Sequence, residues 1–579
     1  VKTVAVLGGG VGGLSAAHEL AERGFKVKVY EHRDVFGGKA RSMPVPGSGK
    51  AGRADLPAEH GFRFFPGFYQ HLYDTMRRIP DGQGTVHDHL DTPKLMMIAQ
   101  AEGRNEIIGP MLPPASLDDL KLTANFIWTI GTQIGIPAHE MVAFFEQMLT
   151  YLTSCQERRI GQWERMSWMD FVDAEHRSAA FKKFIATGMT RTLVAARAEE
   201  MSARTGASIL WQLMFCTSIP GKHADGVLTG PTSEMWIDPW VSYLRSRDVE
   251  LHVRHSIEEI HCDGRRITGV TVRKGAHREK VKADYYVSAM PLERLRLLLT
   301  DKLIEAEPRL RPVKDKKLQI RWMNGMMFYL HEDVPLVNGH ILFIDSAWAL
   351  TAISQKQFWH GIDFSGLGNG RVGGILSVDI SDWCTPGTHN KKPARECSRA
   401  EIHDEVWAQI RDHIDKGVLK KKNVVTWFLD PDIQMPNPGK ATNAEPLLVN
   451  TAGSWANRPD AVTKIPNFFL ASDFVQTNTD LATMEGANEA ARRAVNGILK
   501  AANSHAKPCG VWPLWEPPVL APFRMLDAVR WRLGLDVKLP VKATPSGRLQ
   551  PTDLAARTLL ALAHHGRPAF ALLDRYCRA

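Results

Sequence analysis

The chain has 579 residues, of which 44% are hydrophobic and 23% charged, the balance of an ordinary globular protein with room for two or three domains. Its net charge of +9 comes from dispersed Lys and Arg with no aromatic-basic recognition module beside them, which argues against nucleic acid as a partner. Seven cysteines without a C-x-x-C pair argue against a zinc site or disulfide scaffold and for a reducing, cytoplasmic setting without a metal.

The opening "VKTVAVLGG" reads as a strand, and nothing in it resembles a signal peptide. Residues 4–7 are apolar, and Gly8-x-Gly10-x-x-Gly13 follows directly before the helical pattern Leu14, Ala17, Leu20. The first glycine permits a tight turn, the second lets a pyrophosphate approach the backbone, and the third lets helix pack on strand. The helix N-terminus then offers free N–H groups to phosphate. A second strand, "KVKVYE", ends in Glu31, where a carboxylate meets ribose hydroxyls, with His32 next to it. Beyond it, "FGGKARS" places Gly38, Lys39 and Arg41 where charge-assisted bonds reach the phosphates of an extended dinucleotide.

Residues 105–225 carry apolar residues at helical spacing and predict a helical lid. Trp128, Met141, Phe145, Met148, Trp163, Trp168, Trp211, Met214 and Phe215 form either its core or the lining of a lipid-like channel. No run of about eighteen uncharged apolar residues occurs, so a spanning helix is not expected. The runs "GMMFYLH", "GHILFID", "RVGGILSVDI" and "NVVTWFLD" predict strands of an antiparallel sheet roofing the active site, with a helix over 401–416. From about 503 the chain turns Pro- and Trp-rich, then basic and amphipathic. This tail either packs on the body or docks on a membrane surface.

"EHRDVFGGKARS" followed by "EHGFRFFPGFY", and far downstream "IPNFFLASDFVQTNTDLATMEGANEAARRAVNGIL", resemble the flavin-binding ends of the carotenoid (phytoene and zeta-carotene) desaturases, within the flavin amine oxidase superfamily. The segments 230–260 and 283–299 resemble the same family's middle part, so the likeness covers about residues 1–500. The resemblance implies FAD as cofactor. Glu31 would hold the adenosine ribose, Lys39 and Arg41 the phosphate and ribityl portion, and Ile257 the adenine through its backbone. Arg63, Phe64 and Tyr69 would touch the flavin, with Arg63 and Tyr69 closest to catalysis. Asp473 would bond the ribityl or pyrophosphate region, while Met484 and Glu485 would present helix N-terminal N–H groups to the pyrimidine edge, where reduced flavin is anionic. Two positions depart from the family's pattern: Arg63 stands where its motif carries His, and Ser472 where Gly is expected. A fixed cation at 63 can raise the flavin's hydride affinity or hold a polar substrate group.

The expected fold is α/β, a Rossmann-type FAD-binding domain of the glutathione-reductase-like kind with an antiparallel-sheet substrate domain and a helical lid. The FAD-binding parts fall at 1–104, 226–300 and 461–502, the lid at 105–225, the substrate domain at 301–460, and a helical extension at 503–579. The expected function is removal of hydride from an apolar, isoprenoid or lipid-like substrate, with a quinone, another carrier or oxygen as electron acceptor. Amine oxidation, a non-redox isomerase or hydratase, and a binding protein with a vestigial flavin are the alternatives.

Overall fold

The computed structural model describes residues 1–101, 107–110, 131–214, 225–415, 417–539, 541–543, 549–552 and 557. Its first layer is a five-stranded parallel sheet in the order Glu250–His252, Lys26–Tyr30, Thr3–Leu7, Tyr285–Ser288, Phe468–Leu470. The strand Thr3–Leu7 is apolar and buried from Val4 to Leu7 because a central parallel strand is covered on both faces. Gly8, at φ +110°, turns the chain from that strand into the helix Val11–Ala21. Strands from three distant stretches of sequence share this sheet, so the nucleotide-binding region is assembled discontinuously.

The two ends of the sequence are locked together behind the sheet's strand ends. The helix Met484–Ala501 packs on Val11–Ala21, and Asn488 Nδ2 donates to Ser15 Oγ at 2.9 Å and to Thr75 Oγ1 at 2.9 Å. Residue 12 must lack a side chain where the chain leaves the strand Phe468–Leu470: a Cβ on Gly12 would lie 2.0 Å from the Ala471 carbonyl oxygen.

A second, seven-stranded sheet runs Ile107–Pro110, Leu95–Ala99, Gly339–Phe343, Leu350–Ser354, Gly374–Ile380, Asn324–Leu330, Val424–Leu429. The four strands anticipated from sequence are all in it, and the helix Arg399–His413 packs on its far side. Two features differ from the expectation. The pair Leu95–Ala99 with Gly339–Phe343 is parallel, within an otherwise antiparallel sheet. The hairpin Leu95–Ala99/Ile107–Pro110 also straddles residue 104 and belongs to this sheet, not to the nucleotide layer or the lid. Its apolar run finds its partner some 240 residues downstream, a pairing that periodicity does not disclose.

Helices from 138 to 214 form the lid around their own core. Met141, Met148, Trp163, Trp168 and Trp211 are buried there and Phe145 packs against them, so they are core, while Trp128 and Phe215 lie outside the described residues. The tail packs on this lid: Leu520 and Phe523 enter its core, and Asp527 pairs with Arg158 at 3.0 Å. Among the described residues no helix is long and apolar enough to cross a membrane.

Candidate active site

One cavity of about 930 Å³ lies between the two sheets and the lid. Its first part is built from glycines. Gly10 and Gly38 face each other so closely that a Cβ on Gly38 would lie 3.0 Å from the Gly10 Cα, and Gly10 bridges to Gly37 in strand fashion. A Cβ on Gly13 would lie 1.9 Å from the Gly8 carbonyl oxygen, so this glycine serves the turn and is not on the cavity wall. Glu31 is held rigidly, with Oε2 accepting the Gly9 N–H at 2.8 Å and Oε1 accepting the Arg33 N–H at 2.9 Å. Burial alone would raise its pKa. The neighbouring His32, 2.8 Å away, and these two N–H groups outweigh that and hold the carboxyl below its usual value, so it faces the cavity as an acceptor. His255, Ser256 and Ile257 lie on the same wall.

Lys39, Ala471, Ser472 and Asp473 continue the wall. Thr483 caps the helix Met484–Ala501, accepting the Gly486 N–H at 3.1 Å, and Ala482, Thr483 and Met484 line the cavity at the positive end of that helix. Arg63, Phe64 and Tyr69 reach the cavity from the segment after the short strand Pro57–Glu59. Tyr69 is buried, and burial together with Glu485 pushes its phenol pKa up, so it stays protonated.

Two anticipated residues have side chains engaged elsewhere, which for Glu485 leaves the expected role of its backbone N–H untouched. Arg41 is 4% exposed, binds Asp432 Oδ2 at 2.9 Å, and is absent from the cavity wall. Its guanidinium is held by that carboxylate and by the Gly38 carbonyl. The Glu485 side chain turns away from the cavity as well. It accepts the backbone N–H groups of Gln70, His71 and Leu72 at 2.8–2.9 Å and contacts His71 Nδ1 at 2.6 Å, and so caps the helix His71–Arg78.

The rest of the cavity is a chamber roofed by the second sheet and the lid. Met96, Ile98, Leu342 and Ile344 come from the sheet side, and Phe184, Ile185, Met189, Leu193, Ile209 and Leu213 from the lid. A π-helix at Lys182–Gly188 widens the lid helix and brings Phe184 and Ile185 to the wall. None of these residues carries a sequence motif. One corner of the chamber is polar: His60, Arg63, Thr351 and Asp379 line it, and His340, bonded to Asp225 at 2.6 Å, stands edge-on to Phe64 with ring centroids 4.7 Å apart. Behind the corner, His60 contacts Asp430 at 2.7 Å, and Asp432 is neutralised by Arg33 and Arg41. Burial pushes the Asp379 carboxyl up to about 7, only partly offset by Arg63 and His60.

Known proteins agree with this geometry. The family of flavin containing amine oxidoreductases matches residues 11–499. A probable zeta-carotene desaturase of Synechococcus elongatus is 24% identical over 515 residues, covering 86% of this chain and 98% of its own length. The 15-cis-phytoene desaturase of the same organism is 25% identical over 515 residues, covering 86% and 95%. In fold, the chain is similar to an oxidoreductase from Methanosarcina mazei (TM-score 0.56, 13% identity, 86% of this chain and 100% of that one) and to a putrescine oxidase bound to putrescine (TM-score 0.55, 13% identity, 87% and 98%). A glycine cradle, a rigidly held carboxylate and a helix N-terminus meeting in one cavity fit FAD, and with a match over most of its length the chain belongs to the family of flavin containing amine oxidoreductases.

Proposed function

We propose that this FAD-dependent oxidoreductase is a dehydrogenase that desaturates, or oxidises at an allylic carbon, an apolar isoprenoid chain. The observation that carries this reading is the aliphatic wall shared by the second sheet and the lid, continuous with the nucleotide cradle. When bound, FAD supplies a two-electron acceptor for hydride. The chain's own residues do the rest. Glu31 would hold the ribose, Lys39 the phosphates, the backbone at Ile257 the adenine, and Asp473 the ribityl or pyrophosphate region. Thr483 and Met484 would offer helix N-terminal N–H groups where negative charge accumulates, and Arg63 adds a fixed cation nearby. The lid excludes water and aligns the chain, which is the larger part of what such a reaction needs from a protein.

The substrate class also suggests where the protein works. Met525, Leu526, Val529 and Leu533 are 46–68% exposed along one side of the helix Ala521–Arg532 and the turn after it. Arg532, with its side chain 72% exposed, lies beside them. An apolar ridge flanked by a cation on a protein of net charge +9 fits peripheral docking on an anionic bilayer at the cytoplasmic face, where an isoprenoid and a quinone-type acceptor dissolve.

The test is anaerobic mixing of the purified yellow protein with a panel of isoprenoids and amines. Loss of the oxidised-flavin absorption band with an isoprenoid, and a product two hydrogens lighter or hydroxylated, is expected. Bleaching by amines alone would overturn the reading in favour of amine oxidation, and turnover without bleaching would favour isomerisation.

A further inference from the structure

The seven-stranded sheet presents a row of neighbouring residues to the chamber, fixed by register: Ile98 opposite Leu342, Leu342 opposite Thr351, Thr351 opposite Asp379, and Asp379 opposite Gly325. Residues paired across strands share a face, so the row passes from apolar to polar in four steps. At its polar end Gly325 leaves room for the segment above, donating its N–H to the His60 carbonyl at 2.7 Å, while a Cβ on Gly61 would lie 2.7 Å from Asp379 Oδ1. The backbone therefore clamps the carboxyl against the cavity.

Buried polar atoms almost always have partners, because an unpaired one costs on the order of 1–3 kcal/mol. Here Asp379, 8% exposed, has no hydrogen-bond partner for Oδ1, and Arg63 has none for Nε. Both residues line the chamber. They form no ion pair with each other among the described residues, so the polar corner of the chamber holds a carboxyl and a guanidinium that are not spent on each other. A hydrocarbon would leave both unsatisfied. A carboxylate or phosphate would meet Asp379 as a like charge, and a protonated amine would meet Arg63 as one. A hydroxyl, which donates one hydrogen bond and accepts another, matches the pair.

We infer that the chamber takes an isoprenoid carrying a hydroxyl group, held at this corner by Asp379 and Arg63 with Thr351 beside them. This rests on the isoprenoid reading above and narrows it to an oxygenated substrate class. The polar corner then acts as a register stop. Because the hydroxyl is anchored, the carbon presented to the flavin is chosen by its distance along the chain from the oxygen and not by the chain's free end. The anchor also gives selectivity of a kind that a hydrophobic slot cannot, since a site built to bond a hydroxyl rejects the analogue that lacks it.

The experiment titrates the FAD-loaded protein with three matched saturated probes, hexahydrofarnesol, its methyl ether and farnesane, following the flavin absorption band. Hexahydrofarnesol is expected to bind at least about tenfold more tightly than farnesane, with the ether between them or equal to farnesane because it cannot donate to Asp379. Asp379→Leu should bring the alcohol down to the affinity of farnesane. Thr351→Val, which conserves volume and guards against a folding failure of the first variant, should weaken the alcohol alone. Equal binding of alcohol and farnesane by the native protein would overturn the hydroxyl anchor while leaving the isoprenoid reading standing, whereas no binding of any probe would overturn both. If Asp379→Leu shifts the flavin spectrum and the alcohol preference persists, the carboxyl serves the flavin and the inference is wrong.

Discussion

Replacing Asp379 with Asn isolates the most perturbed carboxyl of the chamber. Its pKa is raised from the ordinary 3.8 to about 7, first by burial, with Arg63, His60 and the Phe62 N–H pulling the other way and Asp430 adding to the rise. Between about pH 4 and 7 the folded protein therefore binds a proton that the unfolded chain has released, so this group's contribution to stability falls as pH rises and is fully lost above its folded pKa. The rise corresponds to about 4 kcal/mol at pH 8. For 579 residues the unfolding entropy is roughly 1.2 kcal/mol per kelvin, so that energy moves the melting temperature by about 3 °C. The assay is differential scanning fluorimetry of native and Asp379→Asn proteins from pH 5 to 8.5 at saturating FAD, since ligand occupancy moves the midpoint by itself. Because a scan that starts at pH 5 captures only the part between pH 5 and the folded pKa, about 2.7 kcal/mol, the gap between variant and native should widen by about 2 °C in favour of the variant from the acid to the alkaline end. A gap independent of pH would refute the claim that burial raises the pKa of this carboxyl.

Two glycines in the same turn should behave differently. Gly12→Ala puts a Cβ 2.0 Å from the Ala471 carbonyl, so soluble folded protein should be lost, whereas Gly10→Ala meets only the Gly38 Cα at 3.6 Å and should fold but retain little FAD, as read from the ratio of flavin to protein absorbance. Glu485→Ala strands three backbone N–H groups and His71, a loss of about 3–5 kcal/mol, and should lower the melting temperature by about 3 °C while leaving FAD content unchanged. Loss of FAD without loss of stability would return Glu485 to the cofactor site. Charging the exposed ridge with Leu526→Glu, Val529→Glu and Leu533→Glu together should weaken co-sedimentation with phosphatidylglycerol vesicles by about tenfold or more, and equal sedimentation would remove the case for membrane docking.

What could be read from the sequence was what local chemistry imposes. Gly8 and Gly13 reveal a turn because backbone geometry there forbids other residues, Gly10 marks where the backbone is left open to approach, and Glu31 is legible as an acidic residue ending the next strand. The helix opening at Met484 was legible through the likeness of its motif to the family's, and the structure gives it a capping threonine and a first-turn acid. Arg41 and Glu485 show where that logic stops. Each is an ionisable group in a recognisable motif, yet which counter-charge it meets depends on elements hundreds of residues away, Asp432 for one and the helix at His71 for the other. Of the polar corner only Arg63 was open to local reading. Asp379 sits in an apolar strand whose flanking residues say only that it is buried, and its meaning comes from the register that sets it between Thr351 and Gly325 and from the segment His60 to Arg63 lying over it. A motif identifies the part of the cavity that holds a cofactor common to many proteins. The part that chooses a substrate is written in pairings across a sheet, and so the residue that distinguishes this chamber from a plain hydrocarbon slot is one that no spacing rule selects.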